Sequence, residues 1–339
     1  MQKSAYAKLA LFATILALGV VLLGAYVRLS DAGLGCPDWP GCYGKLVVPK
    51  QADAIAAANA AYPERPVEPD KGWKEMVHRY FAGALGLAIL ALALLAWKKR
   101  RQPGQPLVLP VMLVGLVIFQ SILGMWTVTW QLKPVVVMGH LLGGMATLSL
   151  LWLLFLRSRP SDRAAVNAAK GLKLAAAAAV VVLVAQIALG GWTSSNYAAL
   201  ACTDFPTCHG EWWPEADFEE AFVLWRGLGM NYEFGILDNP ARVAIQLTHR
   251  IGALVTVTVL GALALALLVG RRAPMLRSLG AVVGVLLCAQ FGLGVANVLL
   301  SLPLPVAVAH NGVAAILLLS LVTLNYTLHR REAREPHHG

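Results

Sequence analysis

The chain has 339 residues, 58% of them hydrophobic and only 14% charged, with a mean hydropathy of +0.64. That composition excludes a soluble globular protein and implies a polytopic membrane protein. The net charge of +10 is not a nucleic-acid signal, because the Lys and Arg residues mark loops between apolar runs.

A bilayer core needs about 20 apolar residues per helix. Eight windows meet this, at 8–27, 76–97, 107–130, 134–156, 172–193, 241–269, 279–300 and 305–328. The first resembles a signal peptide, with Lys3 and Lys8 beside an apolar run. It is kept as a helix because its repeat partner, 172–193, lies mid-chain. After it, residues 28–73 form a long outer loop carrying Cys36 and Cys42. The Ala-rich stretch 54–61 predicts a short surface helix there. The second window brings His78, with Glu75 three residues earlier on the same helix face. It ends at the basic run Lys98, Lys99, Arg100 and Arg101. Between the third and fourth windows lies only a short turn at 131–134, and His140 follows it. A basic stretch at 157–173 leads into the fifth window.

The second long outer loop, 194–240, carries Cys202, Cys208 and a solvated His209. Its stretches 212–214 and 218–224 are amphipathic enough to lie on the membrane surface. The sixth window carries Gln246, His249 and Arg250. Arg271, Arg272 and Arg277 precede the seventh, which contains Cys288, read as an inert core residue. The eighth carries His310 and ends in a basic tail with Arg330, Arg331 and Arg334. His329, His337 and His338 fall near or in that tail and are assigned no metal role. All the basic clusters fall on one side, so both termini are expected in the cytoplasm. The four loop cysteines then face an oxidising compartment. Two local disulfides are the simplest reading, ahead of thiol metal sites.

The two halves align in order. His78 and Arg79 answer His249 and Arg250, and His140 answers His310, at offsets of 171 and 170 residues. Gly24 answers Gly190, and the segment from Cys36 to Gly44 answers that from Cys202 to Gly210. Gln120 and Gly124 answer Gln290 and Gly294. Each half has four helices, an even number, so both insert the same way round as a parallel repeat. The expected fold is all-α: eight transmembrane helices as two tandem four-helix bundles, over residues 1–165 and 166–339.

An imidazole buried in lipid is costly without a partner, so four at matching depths mark functional sites. Two imidazoles can bind one heme iron from opposite faces. The first half has Glu75 where the second has Gln246. A carboxylate beside a heme edge can accept a proton, and an amide cannot. The first half therefore reads as the reactive site and the second as a structural or electron-transfer heme. Glu75 as an interfacial carboxylate near Lys74 or Arg79 stands equal on residues alone. Arg28, Arg79 and Arg250 are candidates for heme propionates, with snorkelling as the alternative for the latter two. Gly139, Gly143, Gly144, Gly252 and Gly312 either admit a flat macrocycle or serve ordinary helix packing. Trp73, Trp126, Trp130 and Trp192 read as an interfacial aromatic belt.

With these motifs assembled, the chain resembles the heme A synthase family. The resemblance runs from Gly24-Ala25-Tyr26-Val27-Arg28-Leu29 to His310-Asn311-Gly312. Its most specific parts are the Gly33 to Cys42 segment, Glu75-Met76-Val77-His78-Arg79, Gly139-His140 and Thr248-His249-Arg250. The resemblance implies an oxidoreductase that converts the C8 methyl of heme O to the formyl of heme A by successive hydroxylations. It implies that His249 and His310 ligate a heme b and that His78 and His140 hold heme O, with Glu75 near the reacting heme. It matches Cys36 and Cys42, and Cys202 and Cys208, to the family's two loop pairs. It implies a multi-pass protein of the bacterial inner membrane with periplasmic cysteine loops. The implied partners are heme O, a protoheme farnesyltransferase, cytochrome oxidase assembly proteins and membrane lipid, with a homo-oligomer left open. The loop 194–240 is long for the family. Three rivals share parts of the pattern: a bis-histidine diheme cytochrome linked to quinol, a thiol oxidoreductase using the cysteines, and a transporter.

Overall fold

In the computed structural model the described residues are 2–102, 104–159, 168–269 and 273–330. Arg271, Arg272, Arg331, Arg334, His337, His338 and part of the 157–173 basic stretch lie outside them. Among the described residues, eight helices are long and apolar enough to cross a membrane. They are α1 (Gln2–Leu29), α3 (Pro69–Lys98), α4 (Val108–Thr129), α5 (Pro134–Ser158), α6 (Lys170–Ser195), α8 (Asn239–Leu268), α9 (Pro274–Leu299) and α10 (Leu304–His329). Two short helices lie in the long loops, α2 (Ala52–Ala61) and α7 (Phe218–Ala221). Among the described residues there is no β-strand, only isolated bridges at Cys42–Lys45 and Cys208–Glu211.

Local chemistry sets the helix ends. Proline sits in the first two positions of α3, α5, α8, α9 and α10, where its missing N–H costs no hydrogen bond. The ends of α1, α4, α6 and α9 share one closing motif. Asp31, Gln131, Tyr197 and Ser301 take positive φ. The next residue then donates back five positions: Ala32 to Val27, Leu132 to Thr127, Ala198 to Thr193 and Leu302 to Asn297, at 2.7–3.0 Å. This is a Schellman-type cap without glycine, and it turns the chain sharply at the end bearing the cysteine loops.

Packing forms two rings of four. In one, α1 packs on α3 and α5, and α4 packs on the same two. In the other, α8 and α10 each pack on α6 and α9. Within a ring, the histidine-bearing helices α3 and α5, and likewise α8 and α10, are therefore diagonal rather than neighbouring. The rings meet through α1 on α10, and α5 on α6 and α10. Leu148, Leu151, Leu154, Leu317, Leu321 and Leu324 are buried there. Interhelical hydrogen bonds add specificity in lipid. Trp152 donates to the Thr323 hydroxyl at 2.8 Å, and Asn325 donates to the Ala176 carbonyl at 2.9 Å.

Two expectations fail on orientation. Cys288 is exposed on the outer face of α9, so it meets lipid and not the core. Trp192 is no belt residue: it is 4% exposed and its indole N–H donates to the Ala221 carbonyl at 3.0 Å. The long second loop packs against it.

Candidate functional site

The four histidines lie six to ten residues into their helices. At 1.5 Å per residue that is about 9–15 Å below the helix starts. His78 and His140 lie within electrostatic reach of one another, and so do His249 and His310. Each pair stands on diagonal helices of its ring. Every imidazole rests on a glycine of the neighbouring helix. A Cβ placed on Gly24 would lie 3.0 Å from His78 Cε1, and one on Gly124 3.4 Å from His140 Cε1. The corresponding distances are 3.3 Å from Gly190 to His249 and 3.2 Å from Gly294 to His310. An alanine at Gly24, Gly190 or Gly294 would press on its imidazole, while at Gly124 its Cβ would make an ordinary contact.

Two glutamines join these histidines and a third lies nearby, and the sequence reading did not single them out as partners. The Gln186 amide nitrogen lies 3.1 Å from His249 Nδ1 and 3.0 Å from the His249 carbonyl oxygen. The Gln290 amide nitrogen lies 3.1 Å from His310 Nε2. Gln120 packs over Gly143, where a Cβ would come within 1.7 Å of its amide nitrogen. The signal was present: Gln120, Gln186 and Gln290 each stand four residues before a histidine-facing glycine.

These residues fit a ligated heme. Nδ1 of His78, His140 and His310 is buried without a hydrogen-bond partner, as are Gln120 Nε2, Gln186 Oε1 and Gln290 Oε1. Buried polar atoms are normally satisfied, so a cluster of unmatched ones at one depth of each ring marks that depth as a polar site within an apolar bundle. The histidine residues as a whole are only half-buried, so their accessible surface lies away from Nδ1. Neutral imidazoles are also the ordinary axial donors for heme iron. The glycines after the histidines serve helix packing instead. Gly143 and Gly252 make room for Gln120 and Gln186, and Gly312 for Leu22.

Above each ring sits a disulfide loop, closed by Cys36–Cys42 in one case and Cys202–Cys208 in the other. All four cysteines are at most 1% exposed. Thiol–disulfide exchange needs access, so the thiol oxidoreductase reading loses its footing. Both loops are anchored from the helix below. Glu75 accepts the Cys36 N–H at 2.9 Å and pairs with Arg79 at 2.5 Å. Gln246 accepts the Cys202 N–H at 2.9 Å and donates to the Ala199 carbonyl at 3.0 Å. Arg79 also donates to the carbonyls of Asp38, Pro40 and Gly41. Arg250 donates to those of Cys202, Asp204, Pro206 and Thr207. Both guanidiniums therefore hold loop backbone and neither snorkels. Glu75 and Gln246 are 5% and 3% exposed. In the second loop Asp204 accepts from the Thr207 hydroxyl at 2.6 Å and the Gly210 N–H at 2.9 Å. Those bonds hold its carboxyl well below the usual range.

Arg28 ties the two rings. It donates to the Ser194 carbonyl at 2.6 Å and lies 4.1 Å from the centre of the Tyr197 ring. Its Nε is buried and unpartnered. The long second loop crosses to the first ring as well. Tyr232 N–H donates to the Gln131 carbonyl, Arg65 pairs with Glu233 at 2.8 Å, and the buried Lys133 ammonium lies 3.8 Å from the Trp225 ring centre.

The chain is similar to known proteins over nearly its whole length. A family model described as cytochrome oxidase assembly protein (COX15-CtaA) matches residues 7–322. A heme A synthase of Shewanella oneidensis is 50% identical over 310 residues, covering 91% of this chain and 92% of that protein. A heme A synthase of Rhizorhabdus wittichii is 27% identical over 351 aligned residues, covering 96% and 95%. One from Halalkalibacterium halodurans is 28% identical over 213 residues, covering 61% and 66%.

Proposed function

Since the chain belongs to the COX15-CtaA family of cytochrome oxidase assembly proteins, we propose that it is a heme A synthase with a division of labour between its rings. The reaction is the oxidation of heme O to heme A, and the protein is a multi-pass membrane oxidoreductase. Residues 1–165 hold heme O between His78 and His140. Residues 166–339 hold a heme b between His249 and His310. The observation that carries this is the placing of two histidine pairs on diagonal helices, each imidazole seated on a glycine with buried polar atoms left unmatched beside it.

Bound heme would supply the redox chemistry needed to oxidise a ring methyl. The chain supplies position and proton handling. Glu75 stands one turn above His78 on the same face of α3. Gln246 performs the same anchoring of a cysteine loop with an amide, so anchoring does not require a charge at position 75. A buried carboxylate is costly to keep ionised, and its retention beside the first ring suits a proton acceptor or a stabiliser of positive charge. Arg79 keeps that carboxyl group pointed through their 2.5 Å contact. Arg28, with a spare buried donor, is the stronger candidate for a heme propionate. Arg79 and Arg250 act on the heme edge through the loops they hold.

The disulfides suit an oxidising compartment, and the basic Lys98–Arg101 segment lies at the opposite helix ends. Both support a bacterial inner-membrane protein with cytoplasmic termini and periplasmic cysteine loops. A farnesyltransferase supplying heme O and cytochrome oxidase assembly proteins receiving heme A follow as partners, and a homo-oligomer is compatible with the fold. The test is co-production with a heme O source, followed by heme extraction and mass analysis. Heme A should appear with the native chain and disappear with His78→Ala or His140→Ala. Extracts containing only unchanged b-type heme would instead favour the quinol-linked cytochrome. Glu75→Gln should keep both hemes bound yet lose most conversion; full conversion would remove Glu75 from the chemistry.

A further inference from the structure

The four imidazoles rest on four glycines, and the residue one turn earlier on each supporting helix is Val20, Gln120, Gln186 or Gln290. Residues four apart share a helix face, so each of these stands beside a histidine. Three are amides and one is a hydrocarbon. In the second ring the Gln186 amide lies 3.1 Å from His249 Nδ1, whereas the Gln290 amide lies 3.1 Å from His310 Nε2, on the side left for a metal, so only Gln186 stands behind its imidazole. In the first ring Gln120 lies over Gly143 with its amide nitrogen buried and unpartnered, and Val20 offers His78 only its backbone, with no side-chain donor or acceptor.

The difference at His78 is double. Gln186 needs the space left by Gly252, since a Cβ there would come within 2.2 Å of Gln186 Oε1. The aligned residues in the first half are Val20 for Gln186 and Phe81 for Gly252. Both the amide and the gap that seats it are lacking beside His78. Two coordinated changes argue that the amide is built in as a unit in the second ring.

A ligand imidazole is normally oriented, and its basicity tuned, by a hydrogen bond at its other nitrogen. An amide can serve by its N–H or, turned over, by its carbonyl oxygen, and Gln186 Oε1 is otherwise unused. We infer that Gln186 is a positioning residue that locks His249, and that His78, with no side-chain partner from Val20, is the ligand that yields when heme enters or leaves the first ring. This rests on the reading that each histidine pair holds a heme. It accounts for a resident group in one ring and a substrate that must exchange in the other.

The experiment uses the full chain, heme-loaded by co-production and purified in detergent. Heme transfer to excess apomyoglobin is timed, and low-temperature EPR and the midpoint potential of each heme are recorded. Losing such an outer partner typically weakens metal binding about 10–100-fold. Gln186→Val should speed release of the second-ring heme by about that factor, alter its EPR g-values and raise its potential, because a less basic imidazole stabilises ferric iron less. Val20→Gln with Phe81→Gly should slow first-ring release by a similar factor. Unchanged release, EPR and potential in Gln186→Val would overturn the inference, whatever the double variant does. His78→Ala and His249→Ala separate the two levels. If each removes one heme while Gln186→Val changes nothing, the lock fails and the site assignment stands. If neither removes a heme, the assignment itself fails.

Discussion

The two cysteine loops perform one task with different chemistry. Each lies over a ring, is closed by a disulfide, and is held by a polar residue three positions before a histidine and an arginine directly after it. In the second ring the hold is neutral at its centre: Gln246 both accepts and donates, and Arg250 meets four backbone carbonyls. In the first ring it contains an ion pair, Glu75 with Arg79. An amide anchor is complete in itself. A carboxylate anchor depends on its partner, because a buried charge left alone costs far more than a neutral group left short of one hydrogen bond. The first loop is therefore tied to the protonation and pairing of Glu75, and the second loop is not.

Removing the arginines should expose this difference most strongly. Arg79→Ala strips the buried Glu75 carboxyl of its partner and three loop carbonyls of their donor, and should cost about 3–5 kcal/mol. Arg250→Ala leaves only carbonyls short of donors and should cost about 1–3 kcal/mol. Thermal unfolding in detergent would rank the two. Adding Glu75→Gln to Arg79→Ala should recover much of the loss by recreating the second ring's chemistry. Equal losses, with no recovery, would mean the ion pair adds nothing beyond its hydrogen bonds.

The disulfides should show the loops as alike. Both close short loops of sequence separation 6 with Cα atoms 4.8 Å apart. Replacing either pair with serine should cost about 2–3 kcal/mol, toward the low end for so short a loop. A much larger loss in one ring, read from the same melts, would reveal a role there beyond closure.

Close packing separates the loops again, by a smaller margin. A Cβ on Gly35 would lie 2.5 Å from the Lys71 carbonyl carbon and 2.7 Å from the Gly72 nitrogen. The aligned residue in the second loop is Ala201. Gly35→Ala copies the second loop into the first and should cost about 1–2 kcal/mol, since backbone must shift. Ala201→Gly should cost about 1 kcal/mol or less.

Much of this was legible from sequence, and the reasons are physical. Apolar runs long enough for a bilayer leave a chain few choices, so the eight spans followed from composition and length. Buried histidines in duplicated positions stand out because lipid makes them costly. Orientation was harder. Cys288 and Trp192 were misplaced because a helix hydrophobic on most sides carries little information about which side meets lipid. Arg79 was left between propionate and interface, since its carbonyl partners are 38–41 residues away. Gln186 passed unnoticed because its partner is 63 residues distant and a single amide in an apolar helix reads as packing. The spacing of Gln120, Gln186 and Gln290 before glycine would have found it once the facing helices were known.

The smallest expected difference between the loops lies in acid. Asp204 accepts from the Thr207 hydroxyl, and that bond is the largest cause of its lowered pKa, ahead of the Gly210 N–H. The aligned Asp38 accepts from the N–H groups of Tyr43 and Gly44, both at 2.7 Å, but the residue matching Thr207 is Gly41, which has no hydroxyl to give. A carboxyl whose folded pKa lies below its unfolded value of 3.8 adds stability that is fully present above that value. The contribution is lost as pH falls below it, because the unfolded chain then binds the proton more readily. The second loop should therefore loosen as pH drops below about 3.8, and Thr207→Ala should reduce that dependence while Gly41→Ala should not. Hydrogen exchange of the Cys202–Gly210 amides across pH 2.5–5 would read it locally, where whole-protein melts would be dominated by other carboxyls. An unchanged acid dependence in Thr207→Ala would show that backbone N–H groups alone hold the Asp204 charge, and the two loops would then be equivalent at this position despite their different sequences.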